Sequence, residues 1–270
     1  MIHVRAPATT ANIGAGFDCA AAALDLWNEL ELVENGEEAE ADHLAVRAFA
    51  RVASPHGFRF TFTERIPRAR GLGSSAATIA LGLVAGATVA GRAPDAEELL
   101  ALGLDLEGHP DNLAAALAGG VCLTWNGRVA RIADDAPGVP IAIVPRETVE
   151  THAARAALPE TIPHKDAAFS AARAALLGAA VTSGSAELFA AAADDRLHEP
   201  YRAPQAPVLA DVRQRLPHGA LGATLSGSGP TVIVWARPEF ATACVAELVE
   251  RFPDTDVLHL SISPTGAGQL

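Results

Sequence analysis

Residues 74–90 place the strongest constraint on how this chain can fold. Their sequence, SSAATIALGLVAGATVA, is apolar on almost every side and contains no charged residue. A helix that is hydrophobic all round must be surrounded by the rest of its domain. The run is shorter than the roughly 18 apolar residues that a membrane span needs, and it carries Gly and Thr. We therefore predict a buried central helix, and half of the residues of the chain are hydrophobic, which provides the material to cover it.

The chain around this helix mixes strands and helices. Alternation of apolar and polar residues, or short apolar runs, predicts strands, and apolar residues three and four apart predict helices. The predicted strands are residues 2–5, 27–33, 58–63, 121–125, 128–132, 139–144, 220–225, 231–235 and 257–262. The further predicted helices are residues 41–53, 94–106, 111–117, 150–157, 166–181, 186–193, 206–215 and 238–251.

The order of these elements predicts an α+β protein with two lobes. Asn126-Gly127 lies between two predicted strands and is a strong signal for a hairpin turn. From residue 139 onward the order is strand, helices, two strands, helix, strand, which favours a second lobe with an antiparallel sheet. We place the boundary between residues 138 and 139.

Charge and cysteine content exclude several classes of protein. The formal net charge is −12, without the clusters of Lys and Arg that nucleic-acid binding requires, so we expect no nucleic-acid partner. The three cysteines are widely spaced and are expected to be free thiols rather than metal ligands or disulfides. The first ten residues, MIHVRAPATT, contain no apolar signal segment. Together with the absence of a predicted membrane span, these features predict a cytoplasmic protein.

The lysine content excludes two common kinase architectures. Lys165 is the only lysine in the chain, and it lies in PHKD without a preceding glycine run. A Walker A loop needs GxxxxGK followed by Ser or Thr, and a protein kinase needs a lysine in a strand of VAIK type. Neither pattern is present.

A glycine-rich segment, PRARGLGSSAA, leads directly into the predicted central helix. Glycines let the backbone approach a ligand closely, and the free N–H groups at a helix N-terminus favour an anion. This segment therefore predicts a phosphate-binding loop, although a simple turn with a serine N-cap has the same local pattern. The predicted nucleotide-binding residues are Arg70, Gly71, Leu72, Gly73, Ser74, Ser75 and Ala76.

Two more glycine-rich segments accompany this loop, PATTANIGAGFD at residues 7–18 and LSGSGP at residues 225–230. Three such segments at the start, middle and end of the chain resemble the signature motifs of the GHMP kinases. EGHPDN at residues 107–112 and EPYRAP at residues 199–204 make the homoserine kinase family the closest resemblance. The resemblance spans almost the entire chain. Thr10, Ile13 and Ala15 depart mildly from the first motif of that family.

The resemblance implies a fold and an activity. It implies an N-terminal, ATP-binding lobe (residues 1–138) like domain 2 of ribosomal protein S5, and a ferredoxin-like C-terminal lobe (residues 139–270). It also implies ATP and Mg²⁺ as cofactors and phosphorylation of the side-chain hydroxyl of L-homoserine. It leaves a homodimer open.

The resemblance further assigns residues to the amino-acid substrate. A zwitterion needs an anion for its ammonium group and cations, preferably arginines, for its carboxylate. Asn12 and Asp18, six apart in the loop of the first motif, are placed at the ammonium group. The predicted carboxylate clamp is Arg155, in a helix with Thr151, and Arg202 of EPYRAP. Gly227 of the third motif is also predicted to bind substrate.

EGHPDN supplies the predicted catalytic residues. His109 and Asn112 fall where the family contacts the reacting hydroxyl, and Glu107 with Ser75 is predicted to hold Mg²⁺. We expect Asp111 to cap the helix after Pro110 instead. No aspartate in the sequence is an obvious general base, since Asp18 is favoured as a binding residue.

Two other functions remain open at this point. A GHMP kinase for mevalonate, pantoate or a sugar would need no acidic group for an ammonium, so the set Asp18, Arg155 and Arg202 argues against it. A non-catalytic nucleotide-binding protein on the same scaffold would not need Glu107 and Asn112 together with the phosphate loop.

Overall fold

The computed structural model describes residues 1–34 and 40–270 and is an α+β protein. Its strands within those residues are β1 (Ile2–Ala11), β2 (Ala20–Glu34), β3 (Phe58–Thr63), β4 (Val121–Trp125), β5 (Arg128–Ala133), β6 (Val139–Val144), β7 (Ala220–Leu225), β8 (Val232–Ala236), β9 (Asp256–His259) and β10 (Gly268–Gln269). Its α-helices are α1 (Leu44–Phe49), α2 (Ser74–Val89), α3 (Ala96–Glu107), α4 (Pro110–Ala118), α5 (Thr151–Ala156), α6 (His164–Ser183), α7 (Ala186–Ala192), α8 (Glu199–Arg202), α9 (Pro207–Gln214) and α10 (Ala241–Arg251).

The first sheet is antiparallel, with the order β10-β1-β2-β4-β5 and with β3 paired to β2. Strands β1 and β2 are longer than predicted. The added residues include runs of buried alanine and threonine, 8–11 and 20–23, whose uniform burial hides the alternation that marks a strand with one solvated face. A register shift between Pro7 and Ala8 separates the two parts of β1, because proline has no N–H to donate to the ladder.

Helix α2 is the buried central helix that the sequence predicts. Its residues from Ala76 to Ala87 are all buried, and it packs against β1, α1, α3 and α4. Helix α1 crosses it so closely that a Cβ at Gly82 would lie 2.0 Å from the carbonyl oxygen of Ala45. None of the helices among the described residues is long and apolar enough to cross a membrane.

The second sheet is antiparallel, with the order β7-β8-β6-β9. Counted within this lobe, the order is 2-3-1-4, which is the ferredoxin-like arrangement of a strand, helices, two strands, a helix and a strand. The predicted α+β class and the element order of this lobe are confirmed. Strand β10, which the sequence did not reveal because it has only two residues, returns to the first sheet and pairs with β1. The boundary between residues 138 and 139 stays a prediction.

Candidate active site

The three glycine-rich segments meet at one open cleft. Fourteen of the sixteen predicted site residues line it: Asn12, Asp18, Arg70, Gly71, Gly73, Ser74, Ser75, Glu107, His109, Asn112, Thr151, Arg155, Arg202 and Gly227. The remaining two, Leu72 and Ala76, are fully buried behind the loop. The cleft is also lined by Ala69, Asp111, Val149, Ser228 and Gly229, none of which was predicted to be a site residue.

Backbone contacts hold the middle and third motifs together. Ser226 Oγ donates to the carbonyl oxygen of Gly71 (2.6 Å) and lies 2.9 Å from Thr10 Oγ1. Gly71 has φ +82°, and a Cβ there would lie 2.3 Å from the carbonyl oxygen of Ser226. Gly227 N–H in turn donates to the carbonyl oxygen of Ala11 in β1. The phosphate loop is therefore held against the third motif by the Ser226 hydroxyl and by close packing that leaves no room for a side chain at Gly71.

Gly73, rather than a serine, is the N-cap of α2. It has φ +65°, and no side chain caps the helix, so the alternative of a simple serine cap is wrong. A Cβ on Gly73 would lie 1.9 Å from Thr9 Oγ1. Ser74 and Ser75 occupy the first two helical positions, where N–H groups lack helical partners and the helix dipole favours an anion.

Two carboxyl groups, half-buried Glu107 and buried Asp111, line the cleft with this helix terminus. Burial raises the pKa of Glu107 to about 7, although a hydrogen bond with Ser75 lowers it, and the charge of Asp111 raises it further. Burial likewise raises the pKa of Asp111 to about 6. Glu107 Oε2 is a buried atom with no hydrogen-bond partner in the part of the chain described. A cation would satisfy this atom and favour the ionised carboxylates.

The oxygen atoms of these side chains are the kind of ligand that Mg²⁺ takes. Mg²⁺ usually binds few protein groups and fills its other positions with waters and phosphate oxygens. No group of three or more His, Cys, Asp or Glu among residues 1–34 and 40–270 forms an all-protein metal cage. Glu107 and Ser75 are the pair that would hold the ion, and Asp111 adds negative charge next to them.

Asp111 is not the helix cap that the sequence suggested. The N-cap of α4 is His109, and Asp111 is the second helical residue after Pro110. Its Oδ1 accepts the N–H of Asn112 at 2.7 Å. It was misassigned because an aspartate near a helix start has the same pattern whether it caps the helix or faces a ligand.

The side chain of Asn112 is held from two sides. Thr9 Oγ1 donates to Asn112 Oδ1 at 2.6 Å, and Asn112 Nδ2 lies 3.3 Å from Asp111 Oδ1. Thr9 N–H also donates to the carbonyl oxygen of Leu72, so one residue joins β1, the phosphate loop and Asn112. No pattern in the sequence predicted this role for Thr9, which lies 103 positions from Asn112.

Elsewhere in the cleft, two predicted substrate residues pair with each other. Arg155 Nη2 donates to both carboxylate oxygens of Asp18, at 2.7 and 3.0 Å. Asn12 Oδ1 accepts the N–H of Asp18, and Asn12 Nδ2 donates to the carbonyl oxygen of Gly227. Asn12 and Asp18 have φ +72° and +55°. Such left-handed residues other than glycine are held in place by their surroundings and cluster at functional sites.

Arg202 lies in the same region and is almost fully buried, at 2% exposure. Its Nη1 donates to the carbonyl oxygen of Gly227 (3.1 Å) and to His198 Nδ1 (3.2 Å). The ring of Phe17 lies 5.3 Å from the guanidinium of Arg202 and 5.6 Å from that of Arg155. Phe17 belongs to the first motif and His198 directly precedes EPYRAP, but no pattern in the sequence distinguished them from packing residues.

The other predicted residues have simpler surroundings. Burial lowers the pKa of His109, and the charges of Arg155 and Arg202 lower it further, so the ring is neutral near pH 7. Thr151 is the first residue of α5, whose N-cap is Glu150, so Thr151 is not a cap. Arg70 donates to the carbonyl oxygen of Arg146 at 2.8 Å.

A second cavity of about 740 Å³ adjoins the phosphate loop. It shares Ala69, Ser74 and Ser75 with the cleft and continues to His43, whose ring stacks on Phe62 with centroids 4.0 Å apart. The phosphate loop thus lies between two cavities, one lined by charged groups and one reaching an aromatic pair.

Comparison with known proteins finds two family models and full-length relatives. The model described as GHMP kinases N terminal domain matches residues 43–120, and the one described as GHMP kinases C terminal matches residues 163–254. A homoserine kinase of Streptomyces coelicolor is 39% identical over 94% of this chain and 89% of its own length. One of Gloeobacter violaceus is 37% identical over 97% of each chain. The crystal structure of a homoserine kinase from Cytophaga hutchinsonii superposes with a TM-score of 0.86 at 26% identity, covering 100% of this chain and 97% of that one.

Proposed function

Because the chain belongs to the homoserine kinases of the GHMP kinase family, we propose that its cleft transfers the γ-phosphoryl group of ATP to the side-chain hydroxyl of L-homoserine. The observation that carries this proposal is the placement of two unlike sites in one cleft. The glycine loop at the start of α2 suits phosphates, and the group of Asp18, Arg155 and Arg202 suits a zwitterion.

The phosphate end would bind the triphosphate of ATP. The N–H groups at the start of α2 and the loop from Gly71 to Ser75 face the anionic end of the nucleotide. The ring of His43, which stacks on Phe62 and lines the neighbouring cavity, would contact the base. When bound, Mg²⁺ neutralises the charge of the β- and γ-phosphates. Glu107 and Ser75 are the residues that would hold it.

The opposite end would bind the amino acid. The carboxylate of Asp18 would accept the ammonium group of homoserine, supported by Asn12, whose Oδ1 fixes the backbone of Asp18. Arg155 and Arg202 would donate to the substrate carboxylate. Binding exchanges one ion pair for two, because the zwitterion brings a cation for Asp18 and an anion for Arg155, which pair with each other in its absence.

Asn112 would orient the hydroxyl of homoserine toward the γ-phosphorus. A new O–P bond forms as the bond between the γ-phosphorus and the bridging oxygen breaks, ADP leaves, and the hydroxyl proton is lost to a phosphate oxygen or water. Phosphoryl transfer passes through a loose transition state, so positioning and charge neutralisation supply most of the catalysis. Thr9 keeps the amide of Asn112 in one orientation by donating to Oδ1. No carboxylate is needed as a general base.

The proposed activity also suggests where the chain works and how its two domains divide the task. The chain would work in the cytoplasm, where thiols stay reduced, and Cys19, Cys122 and Cys244 are free. Residues 1–138 would form the ATP-binding domain and residues 139–270 the second domain, with β10 crossing back to pair with β1.

A coupled ADP-release assay tests the proposal with Mg²⁺-ATP and, separately, L-homoserine, L-serine, L-threonine, mevalonate and pantoate. We expect turnover of homoserine at about 1–100 s⁻¹, the usual range for kinases. Turnover of mevalonate without turnover of homoserine would make the substrate assignment wrong. ATP binding without turnover of any alcohol would point to a non-catalytic protein.

A further inference from the structure

The turn that carries Arg202 also contains a histidine, His198, that has no part in the chemistry above. His198 is fully buried at the N-cap position of α8. The carboxylate of Asp195 fixes its backbone: Oδ2 accepts the N–H groups of His198 (2.7 Å) and Glu199 (3.0 Å). Asp195 Oδ1 also accepts the hydroxyl of Ser170, which anchors the turn to α6. The ring of His198 is therefore held at one place behind the substrate end of the cleft.

The contacts of the ring define where its proton lies. His198 Nε2 is 2.9 Å from the carbonyl oxygen of Gly14, which can only accept, so Nε2 carries the hydrogen. His198 Nδ1 is 3.2 Å from Nη1 of Arg202, which can only donate, so Nδ1 presents a lone pair. Burial lowers the pKa of His198 to about 4, against the charge of Asp195, which raises it, and this agrees with a neutral ring.

These contacts leave one edge of the guanidinium of Arg202 for a ligand. Both of its hydrogen bonds to described residues, to His198 and to Gly227, come from Nη1. Its Nε is buried without a partner among the described residues. A guanidinium pairs with a carboxylate through two parallel N–H donors. With Nη1 occupied, the edge formed by Nε and Nη2 is the one that remains for the substrate carboxylate.

The other side of the ring reaches the first motif. Gly14, whose carbonyl accepts from His198, has φ +74°, and a Cβ there would lie 2.8 Å from the carbonyl oxygen of Ala193. The ring of Phe17 stacks on that of His198 with centroids 5.0 Å apart and an interplanar angle of 21°. His198 thus joins the loop that carries Asn12 and Asp18 to the turn that carries Arg202.

We propose that His198 is a positioning residue for substrate binding, whose Nδ1 accepts from Arg202 Nη1 and thereby presents the Nε–Nη2 edge of Arg202 to the carboxylate of the amino acid. This inference rests on the proposed function, because it assumes that Arg202 binds that carboxylate. It adds a residue that touches neither substrate and acts only through Arg202.

Two variants separate the two nitrogens of the ring. His198→Asn keeps a polar atom near the position of Nδ1, which can accept from Arg202, and removes the group that reaches Gly14. His198→Gln does the reverse, since its amide reaches the position of Nε2 and can donate to Gly14. His218→Gln is the control, because His218 is exposed in the second lobe and packs on Phe240. The Michaelis constants for homoserine and ATP, kcat and the thermal unfolding midpoint are measured for each.

We expect His198→Gln to raise the homoserine KM by roughly ten- to hundred-fold, the range for losing a hydrogen bond to a charged group. The rise in the homoserine KM for His198→Asn should be less than about a third of the rise for His198→Gln. The ATP KM should stay within about two-fold of wild type in both variants. In an Arg202→Ala background, His198→Gln should change the homoserine KM by less than about two-fold, because the residue through which it acts is gone.

Three results would overturn the inference: an unchanged homoserine KM in His198→Gln, an equal rise in both variants, or an effect of His198→Gln that persists without Arg202. If neither variant folds, long-range ¹H–¹⁵N spectra of the wild-type chain with labelled histidine decide the matter. A proton on Nε2 alone supports the contact, and a proton on Nδ1 excludes it. Failure of the proposed function is distinct, since wild-type chain would then leave homoserine unphosphorylated whatever the tautomer of His198.

Discussion

The phosphate end and the amino-acid end of the cleft differ in how their charged groups are arranged. At the phosphate end, two acidic groups lie together: Glu107 is half-buried, Asp111 is buried, and desolvation raises the pKa of each, to about 7 and about 6. At the amino-acid end, Arg155 and Asp18 are already paired at 2.7 Å, and buried Arg202 adds a positive charge whose hydrogen bonds to described residues go to neutral groups. The phosphate end is shaped by backbone packing at Gly71 and Gly73, whereas the amino-acid end is shaped by long side chains.

This difference indicates how each end responds to its ligand. A phosphate loop formed by backbone groups can be complete before the nucleotide arrives, and it costs little reorganisation. An end made of paired charges must open its own ion pair, so it binds well only a ligand that satisfies both partners. A zwitterion does so, while an alcohol that carries only a carboxylate would engage Arg202 and gain no contact with Asp18.

The largest effect should come from Arg202→Ala at the amino-acid end. Truncating one partner of a buried charge pair costs roughly 2–5 kcal/mol, or about thirty-fold to several-thousand-fold in homoserine KM. Arg155→Ala should cost less, because its side chain is 39% exposed. The two changes should be non-additive, since both arginines would hold one carboxylate. Steady-state kinetics at saturating ATP measure all three variants.

Arg237→Ala is the matched control for these arginines, because Arg237 is exposed and remote from the cleft. Its homoserine KM should stay within about three-fold of wild type. A homoserine KM within that same range for both Arg155→Ala and Arg202→Ala, with the fold intact by circular dichroism, would mean that the charged end does not bind a carboxylate.

At the phosphate end, Glu107→Gln should lower kcat by about 10² to 10³ with little change in homoserine KM, because contacts to the transferring group strengthen as charge develops. Ser75→Ala should act in the same direction. Asp105→Asn, on the same helix but exposed and paired with Arg51, should be near wild type. Calorimetric titration of Mg²⁺-nucleotide should show weakened metal-dependent binding for Glu107→Gln. Wild-type metal dependence in that variant would remove Glu107 from the site.

The contribution of backbone shape can be isolated with two glycines of similar φ. Gly73→Ala would place a Cβ 1.9 Å from Thr9 Oγ1 at φ +65°, whereas Gly184→Ala meets nothing within 4 Å at φ +69°. Both carry the strain of a left-handed residue, so their difference reports the contact with Thr9. We expect Gly73→Ala to lower kcat/KM by about hundred-fold, the scale for a displacement of about 1 Å at a reacting centre. Similar activity in the two variants would show that the loop tolerates a shift.

Much of this fold could be predicted from the sequence because its signals are local. The all-apolar run from residue 74 identified helix α2, and the element order identified the second sheet. What could not be predicted depends on contacts across long distances in sequence. Strand β10 has only two residues and is defined by its pairing with β1, and the buried alanines of β1 and β2 lack the alternation of a half-exposed strand.

The same limit applies to the cleft. The motifs identified the charged and glycine positions, which lie together as the resemblance implied. The residues that orient them were not identified: Thr9 contacts Asn112 across 103 positions, and His198 contacts Gly14 across 184. A buried threonine or histidine has the same appearance in a sequence whether it fills a core or fixes a functional group. Asp111 is the opposite case: its position near a helix start predicted a structural cap, whereas it lines the cleft.

The most direct test of the account compares L-homoserine with 4-hydroxybutyrate, which has the same hydroxyl and carboxylate but no ammonium group. Wild-type chain should prefer homoserine in kcat/KM by roughly thirty-fold to several-thousand-fold, because 4-hydroxybutyrate leaves Asp18 without a cation once Arg155 turns to the carboxylate. In Asp18→Asn the preference should fall to within about ten-fold, mainly through loss of activity toward homoserine. An Asp18→Asn variant that keeps the wild-type preference would contradict the account, since the ammonium group would then be recognised elsewhere.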